Sequence, residues 1–68
     1  MKIIIVFVKD TGEEIARENH DLSIVREIPG RNDKVFGKYH NGTVYSRTLD
    51  YNQGLAVIYV EVTNKPRQ

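Results

Sequence analysis

Two segments of this chain, Ile3–Val8 and Leu55–Val62, carry apolar side chains at nearly every position rather than at every second one. In an extended first segment Ile3, Ile5 and Phe7 share one face while Ile4, Val6 and Val8 share the other. In the last, Leu55, Val57 and Tyr59 alternate with Ala56, Ile58, Val60 and Val62. β-branched and aromatic residues at this density read as strands, and a strand apolar on both faces is covered on both. With these two at the centre of a sheet, one covering layer is the chain's own core. The other is a helix from the middle of the chain, closure into a barrel, or another molecule. Self-association or partner binding is therefore an expectation from the start.

Size sharpens that expectation. The 68 residues read as one small domain over 1–63 and a loose tail over 64–68, where Asn-Lys-Pro-Arg-Gln offers nothing apolar. A chain this short buries only about 60% of the surface its unfolded form exposes, and such scaffolds usually add disulfides, a metal or a partner. The absence of cysteine excludes disulfides, thiolate zinc sites and cysteine nucleophiles together. Two histidines give little basis for a structural metal, and no cofactor is expected. Cysteine-free composition fits a reducing cytoplasm. The apolar run of 3–8 is shorter than the ~20 residues of a membrane span and lacks the cleavage signal of a leader. Asn41-Gly42-Thr43 matches a glycosylation sequon, which without a leader reads as chance. The expected compartment is the cytoplasm.

Net charge is +1, which selects no partner class, but its distribution is uneven. Asp10 to Glu27 holds six acids against two bases, a net −4. Arg31 to Leu49 holds four bases against one acid, a net +3. Such a split either orients a partner or a second copy, or forms two solvated faces of opposite sign.

Asp10-Thr11-Gly12 is turn chemistry, with Gly12 suited to a left-handed position, and Glu13–Asn19 then reads as a return strand. Thr11 with Glu14 also fits a capping box, opening a helix towards Ile28 that Pro29 would end. Asn19, His20 and Asp21 are poor helix formers in its middle, which favours the strand. Residues 28–33 are a turn by composition. Asn41-Gly42 between 34–40 and 43–51 is the strongest short hairpin signal present. The fold expectation is mainly β, four or five antiparallel strands curling into a small barrel. The alternative is β-α-β-β-β with a helix around 12–28.

A two-residue Asn41-Gly42 turn pairs His40 with Thr43, Tyr39 with Val44 and Phe36 with Arg47. Alternation then sorts Val35, Gly37, Tyr39, Val44, Ser46 and Thr48 onto one face. Lys34, Phe36, Lys38, His40, Tyr45, Arg47, Leu49 and Tyr51 fall on the other. Cations interleaved with aromatics form either a base-stacking platform for single-stranded nucleic acid or a docking surface for an acidic protein. Alternatively Phe36, Tyr45 and Leu49 belong to the core, with cationic stems along its rim. The candidate partner-binding residues are Lys34, Phe36, Lys38, His40, Tyr45, Arg47 and Tyr51. Partner binding, to protein or self, leads; nucleic acid is the alternative.

No catalytic constellation accompanies them. Ser23 and Ser46 lack a base or a nucleophile elbow, and adjacent Glu13 and Glu14 point apart on a strand. His20 sits in an expected loop and His40 beside a tight turn, and the glycines are spaced for turns rather than for a phosphate loop. A non-enzymatic protein is expected.

From Ile28 to Val62 the order of features resembles small β-proteins of phage and prophage gene modules. The residues concerned are Ile28-Pro29, Asp33 before Val35, Gly42 with Val44-Tyr45, Tyr51, and Val57-Ile58-Tyr59-Val60-Glu61-Val62. Asn32 stands where that pattern more usually has Gly, and Asn too can adopt the left-handed turn. The resemblance covers about half the chain. It implies an SH3-like or related small barrel acting as an assembly factor, host-enzyme inhibitor or counter-defence protein, and it transfers no functional residues.

Overall fold

The computed structural model describes residues 2–21 and 28–63. They form strands β1 (Lys2–Val8), β2 (Glu14–Asp21), β3 (Lys34–Phe36), β4 (Asn41–Asp50) and β5 (Leu55–Val62). Among the described residues there is no helix. The strands make one sheet in the order β2-β1-β5-β4-β3, curled into a half-barrel. The mainly-β expectation holds, and the two doubly apolar segments lie side by side at the sheet's centre. One pairing departs from the antiparallel expectation: β1 and β5 run parallel. Each connection reverses the chain, so a first and a fifth strand point the same way, and placing them together leaves no other option.

Strand, not helix, follows Gly12. That glycine has φ +93° and its N–H donates to the Lys9 carbonyl at 2.8 Å. β2 then pairs along β1 from Ala16 opposite Phe7 to Asp21 opposite Lys2, after a bulge next to Val8. The backbone of β1 needs partners on both sides, and β2 supplies one of them. Leu22–Glu27, where a helix would have continued, lies outside the described residues, as does the tail 64–68.

The expected Asn41-Gly42 turn is not a turn. Asn41 and Gly42 are the first residues of β4, with Phe36 opposite Asn41 and Val35 opposite Gly42. The reversal is made by Gly37-Lys38-Tyr39-His40, closed by the Gly37 N–H donating to the His40 carbonyl at 2.8 Å. The reason is steric. A Cβ on Gly42 would overlap the Glu61 carbonyl oxygen and stand 2.5 Å from Val60 Cγ1. Glycine there permits close strand approach, not a left-handed turn.

Further along β4 a bulge between Val44 and Ser46 moves every following side chain to the opposite face. Val44 and Leu49 both pack with the core, although uninterrupted alternation would separate them.

That core lies on the inner face. Ile3, Ile5 and Phe7 stand in register with Ala56, Ile58 and Val60, joined by Val35 and Val44 and flanked by Ala16, Ile28, Leu49 and Val62. Ile28 belongs to the segment that leads into β3 across the mouth of the half-barrel. The turn at its end is fixed by the Gly30 N–H on Asp33 Oδ2 at 2.6 Å. Asn32 has φ +71°, a left-handed conformation that Asn can adopt.

The outer face is partly shielded by the chain itself. Val6 and Val8 are only 3% and 4% exposed, while Ile4, Leu55, Val57 and Tyr59 are half-buried. Val6 stands between Arg17 of β2 and Tyr59 of β5, whose long side chains flank it. Arg17 grips Glu14 with two bonds of 2.7 Å. This hydrogen bonding holds the Glu14 carboxyl below its ordinary value and raises the Arg17 guanidinium. A depressed carboxyl adds stability at neutral pH that is lost as pH falls through its folded value. Because the pair is at the surface, Glu14→Gln is expected only to flatten slightly the acid limb of a stability–pH profile measured by thermal unfolding.

Candidate functional site

The 34–40 segment is where this fold presents aromatic and cationic side chains together. β3 is an edge strand three residues long, and Val35 is its core-facing residue. Its neighbours Lys34 and Phe36 therefore face away from the core. Phe36 is 76% exposed, and so is Tyr39 in the turn that follows. Lys38 lies beside Tyr39, with Nζ 5.4 Å from the ring centroid, within range of a cation–π contact.

The turn is anchored from below. A Cβ on Gly37 would come within 2.6 Å of both Phe7 Cζ and Glu18 Oε2, so a larger residue there would have to displace those two side chains. The Lys38 N–H donates to Glu18 Oε2 at 2.7 Å, linking the β3–β4 turn to β2 across the open side of the half-barrel. Glu18 Oε1 lies 3.2 Å from His20 Nε2. The His40 ring turns inwards onto Phe7, centroids 5.6 Å apart. Glu18→Ala is expected to cost about 1–2 kcal/mol, the value of a charge-assisted bond to a backbone N–H. Faster hydrogen exchange at the Lys38 amide, with other amides little changed, is the check.

Electrostatics around the turn are one-sided. The carboxylates of Glu18 and Asp33 are engaged by backbone N–H groups, whereas Arg31, Lys34 and Lys38 are exposed. Phe36 also borders a small cleft of about 160 Å³ lined with Ile3, Ile5, His20 and Pro29.

Of the residues selected from sequence, Lys34, Phe36 and Lys38 are exposed on this one segment, and the His40 ring turns in towards Phe7. Tyr45 follows two residues after Thr43, the partner of Lys34, on the same outward side of β4, whereas Arg47 and Tyr51 lie further along the chain. Tyr45 is at the β4 bulge, its ring tilted 50° to that of Tyr59 with centroids 6.3 Å apart, and is 44% exposed. Arg47 is exposed and pairs with core residue Ile58. Tyr51, 77% exposed, lies in the β4–β5 turn, which Asp50 caps by accepting from the Asn52 and Gln53 N–H groups. The single basic-aromatic face expected over 34–51 is therefore divided, because both the reversal and the bulge interrupt alternation. Strict alternation puts Tyr39 on the opposite face, yet it belongs to the cluster. Its signal is an aromatic residue within a polar turn, flanked by Lys38 and His40.

Among the described residues no three His, Asp or Glu converge as metal ligands would, and no helix is long and apolar enough to cross a membrane. Compared with known proteins, this small mainly-β half-barrel matches no family model, no curated protein and no solved structure. The chemistry of the site is the guide to its partner.

Proposed function

We propose that this is a non-catalytic binding protein of the cytoplasm that self-associates and acts by occupying the surface of a partner protein. Phe36 and Tyr39 would insert into apolar pockets of the partner, with Lys34 and Lys38 against its acidic rim. One observation carries the reading: two aromatic rings three residues apart, each about three-quarters exposed, on either side of Gly37 in a segment tied to β2 by Glu18. Large aromatics on a rigid support, ringed by charge, are what binding hot spots are made of. The resemblance to phage-module proteins points the same way, towards an inhibitor, counter-defence protein or accessory factor.

Nucleic acid is the second reading, favoured by the Lys38–Tyr39 pairing, since bases stack on such rings. The position of Arg47 and Tyr51 further along the chain leaves a short track for a strand, and a net charge of +1 is small for phosphate binding.

The test is capture from an extract of the native cells by immobilised wild type and by Phe36→Ser/Tyr39→Ser. A defined protein retained by the first and lost by the second is expected; identical capture by both would remove the site. An oligonucleotide titration at low salt decides the other reading. Tight binding that weakens steeply with salt, and that Lys38→Glu abolishes, would transfer the function to nucleic acid.

A further inference from the structure

β3 ends the sheet on one side, and the backbone of its outward edge is open. The Val44 N–H donates to the Asp33 carbonyl, and the Gly37 N–H to the His40 carbonyl. Along an antiparallel ladder the hydrogen-bonded residues alternate with residues whose backbone groups point the other way. Asp33, Val35 and Gly37 therefore turn these groups to β4, while Lys34, Phe36 and Lys38 turn theirs to the edge. There the Lys38 N–H is met by Glu18 Oε2 at 2.7 Å, an acceptor that reaches across from β2. The N–H and C=O of Lys34 and Phe36 meet no partner among the described residues.

An apolar cleft adjoins this edge. Buried Ile3 and Ile5 line it together with His20, Pro29 and Phe36, and its volume is about 160 Å³. Pockets that enclose a whole small molecule run to roughly 300–1,000 Å³, whereas a space of about 150 Å³ holds one benzene-sized group. The cleft is the size of a single large apolar side chain.

We infer that an extended, acidic segment of the partner protein adds to β3 as a further antiparallel strand and places one large apolar side chain in this cleft. The inference deepens the proposed docking at Phe36 and rests on it. Main-chain bonds to Lys34 and Phe36 hold the segment, and the cleft selects its side chain. Alternation assigns the rest. The residue opposite Val35 points to the core side, towards Ile3 and Ile5, and its two neighbours point outwards beside Lys34 and Phe36.

Charge names those neighbours. Arg31, Lys34 and Lys38 are exposed around the edge, while Glu18 and Asp33 each commit an oxygen to a backbone N–H. An acid opposite Lys34 is a favourable cross-strand pair, and a lysine there meets like charge. The three-residue length of β3 and Lys34 itself keep unmatched strands away.

The probe is an acetylated, amidated heptapeptide with glutamate at every odd position, valine at the second and sixth and leucine at the centre. It is titrated to about 1 mM into the isotope-labelled full chain, and amide exchange is followed by NMR. Free protein should exchange quickly at Lys34 and Phe36, and saturation with peptide should slow both about tenfold or more. Leucine replaced by alanine should weaken binding about tenfold. Lysine in place of every glutamate should weaken it further, and Lys34→Glu in the protein should reverse that preference. No binding, or binding that leaves the Lys34 and Phe36 amides unprotected, overturns the inference. So does protection of these amides without peptide: independent of protein concentration it gives the edge to the chain itself, and rising with concentration it gives it to a second copy. Partner capture that Phe36→Ser/Tyr39→Ser abolishes, with the two amides unprotected in the captured complex, removes the added strand and leaves the docking surface standing.

Discussion

Gly42→Ala is expected to cost about 3 kcal/mol, at the upper end of what overpacking one methyl group does. That is a large part of the roughly 3–10 kcal/mol that holds a chain of this length folded. Gly42 is buried on β4, between Val35 of β3 and Val62 of β5. An added Cβ would meet the Glu61 carbonyl carbon at 2.8 Å and Val60 Cγ1 at 2.5 Å, and would overlap the Glu61 oxygen. Backbone cannot rotate aside as a flexible side chain can, so β4 and β5 would have to separate. Gly12→Ala is the control. At Gly12 φ is +93° but no atom lies within 4 Å of the added carbon, so the cost is the conformational one, about 1 kcal/mol. Urea unfolding of the two variants should give a clearly lower midpoint for Gly42→Ala at an unchanged slope. Equal midpoints would mean that Gly42 occupies a turn after all, and the register that pairs Val35 with Gly42 would fall with it.

Gly42 also marks where the sequence stops being legible. Asn-Gly between two alternating runs is a sound hairpin signal, and locally nothing contradicts it. Only the approach of β5 to β4, from residues some twenty positions further on, makes glycine necessary within the strand. The bulge between Val44 and Ser46 is of the same kind: it adjusts β4 to β5 and leaves no mark on local composition. By contrast, features with local causes are readable. The doubly apolar segments point to β1 and β5 at the centre, and Asp10-Thr11-Gly12 marks the first hairpin. The candidate site inherits both failures. Lys34, Phe36 and Lys38 belong to one continuous stretch and stay together. Arg47 and Tyr51 are joined to them only through a register set by an Asn41-Gly42 turn, and they part from it once the reversal falls at 37–40 and the bulge follows Val44.

The two phenylalanines of the chain should behave as opposites. Phe7 is fully buried, with Ala16 and Val60 beside it in the sheet and the His40 ring at 5.6 Å. Its ring also lies under Gly37, the residue that brings the candidate site onto the barrel. Phe7→Ala removes a whole ring from a core this small and should cost about 3–5 kcal/mol, enough to leave the chain largely unfolded at 37 °C or to lower its midpoint in urea drastically. Where the chain stays folded, the 37–40 turn should lose exchange protection first, because its floor has gone. Phe36 is 76% exposed, so Phe36→Ala should change stability by less than about 0.5 kcal/mol. A residue that contributes so little to folding, yet keeps an aromatic ring in water, is a candidate for contact with something else. The pair of variants separates the two roles in one experiment. If Phe36→Ala destabilises the protein as Phe7→Ala does, the ring is part of the core, and the docking role assigned to the β3 edge is lost. If it leaves the melting curve in place while partner capture disappears, the same side-chain chemistry is holding the fold at one position and serving binding at the other.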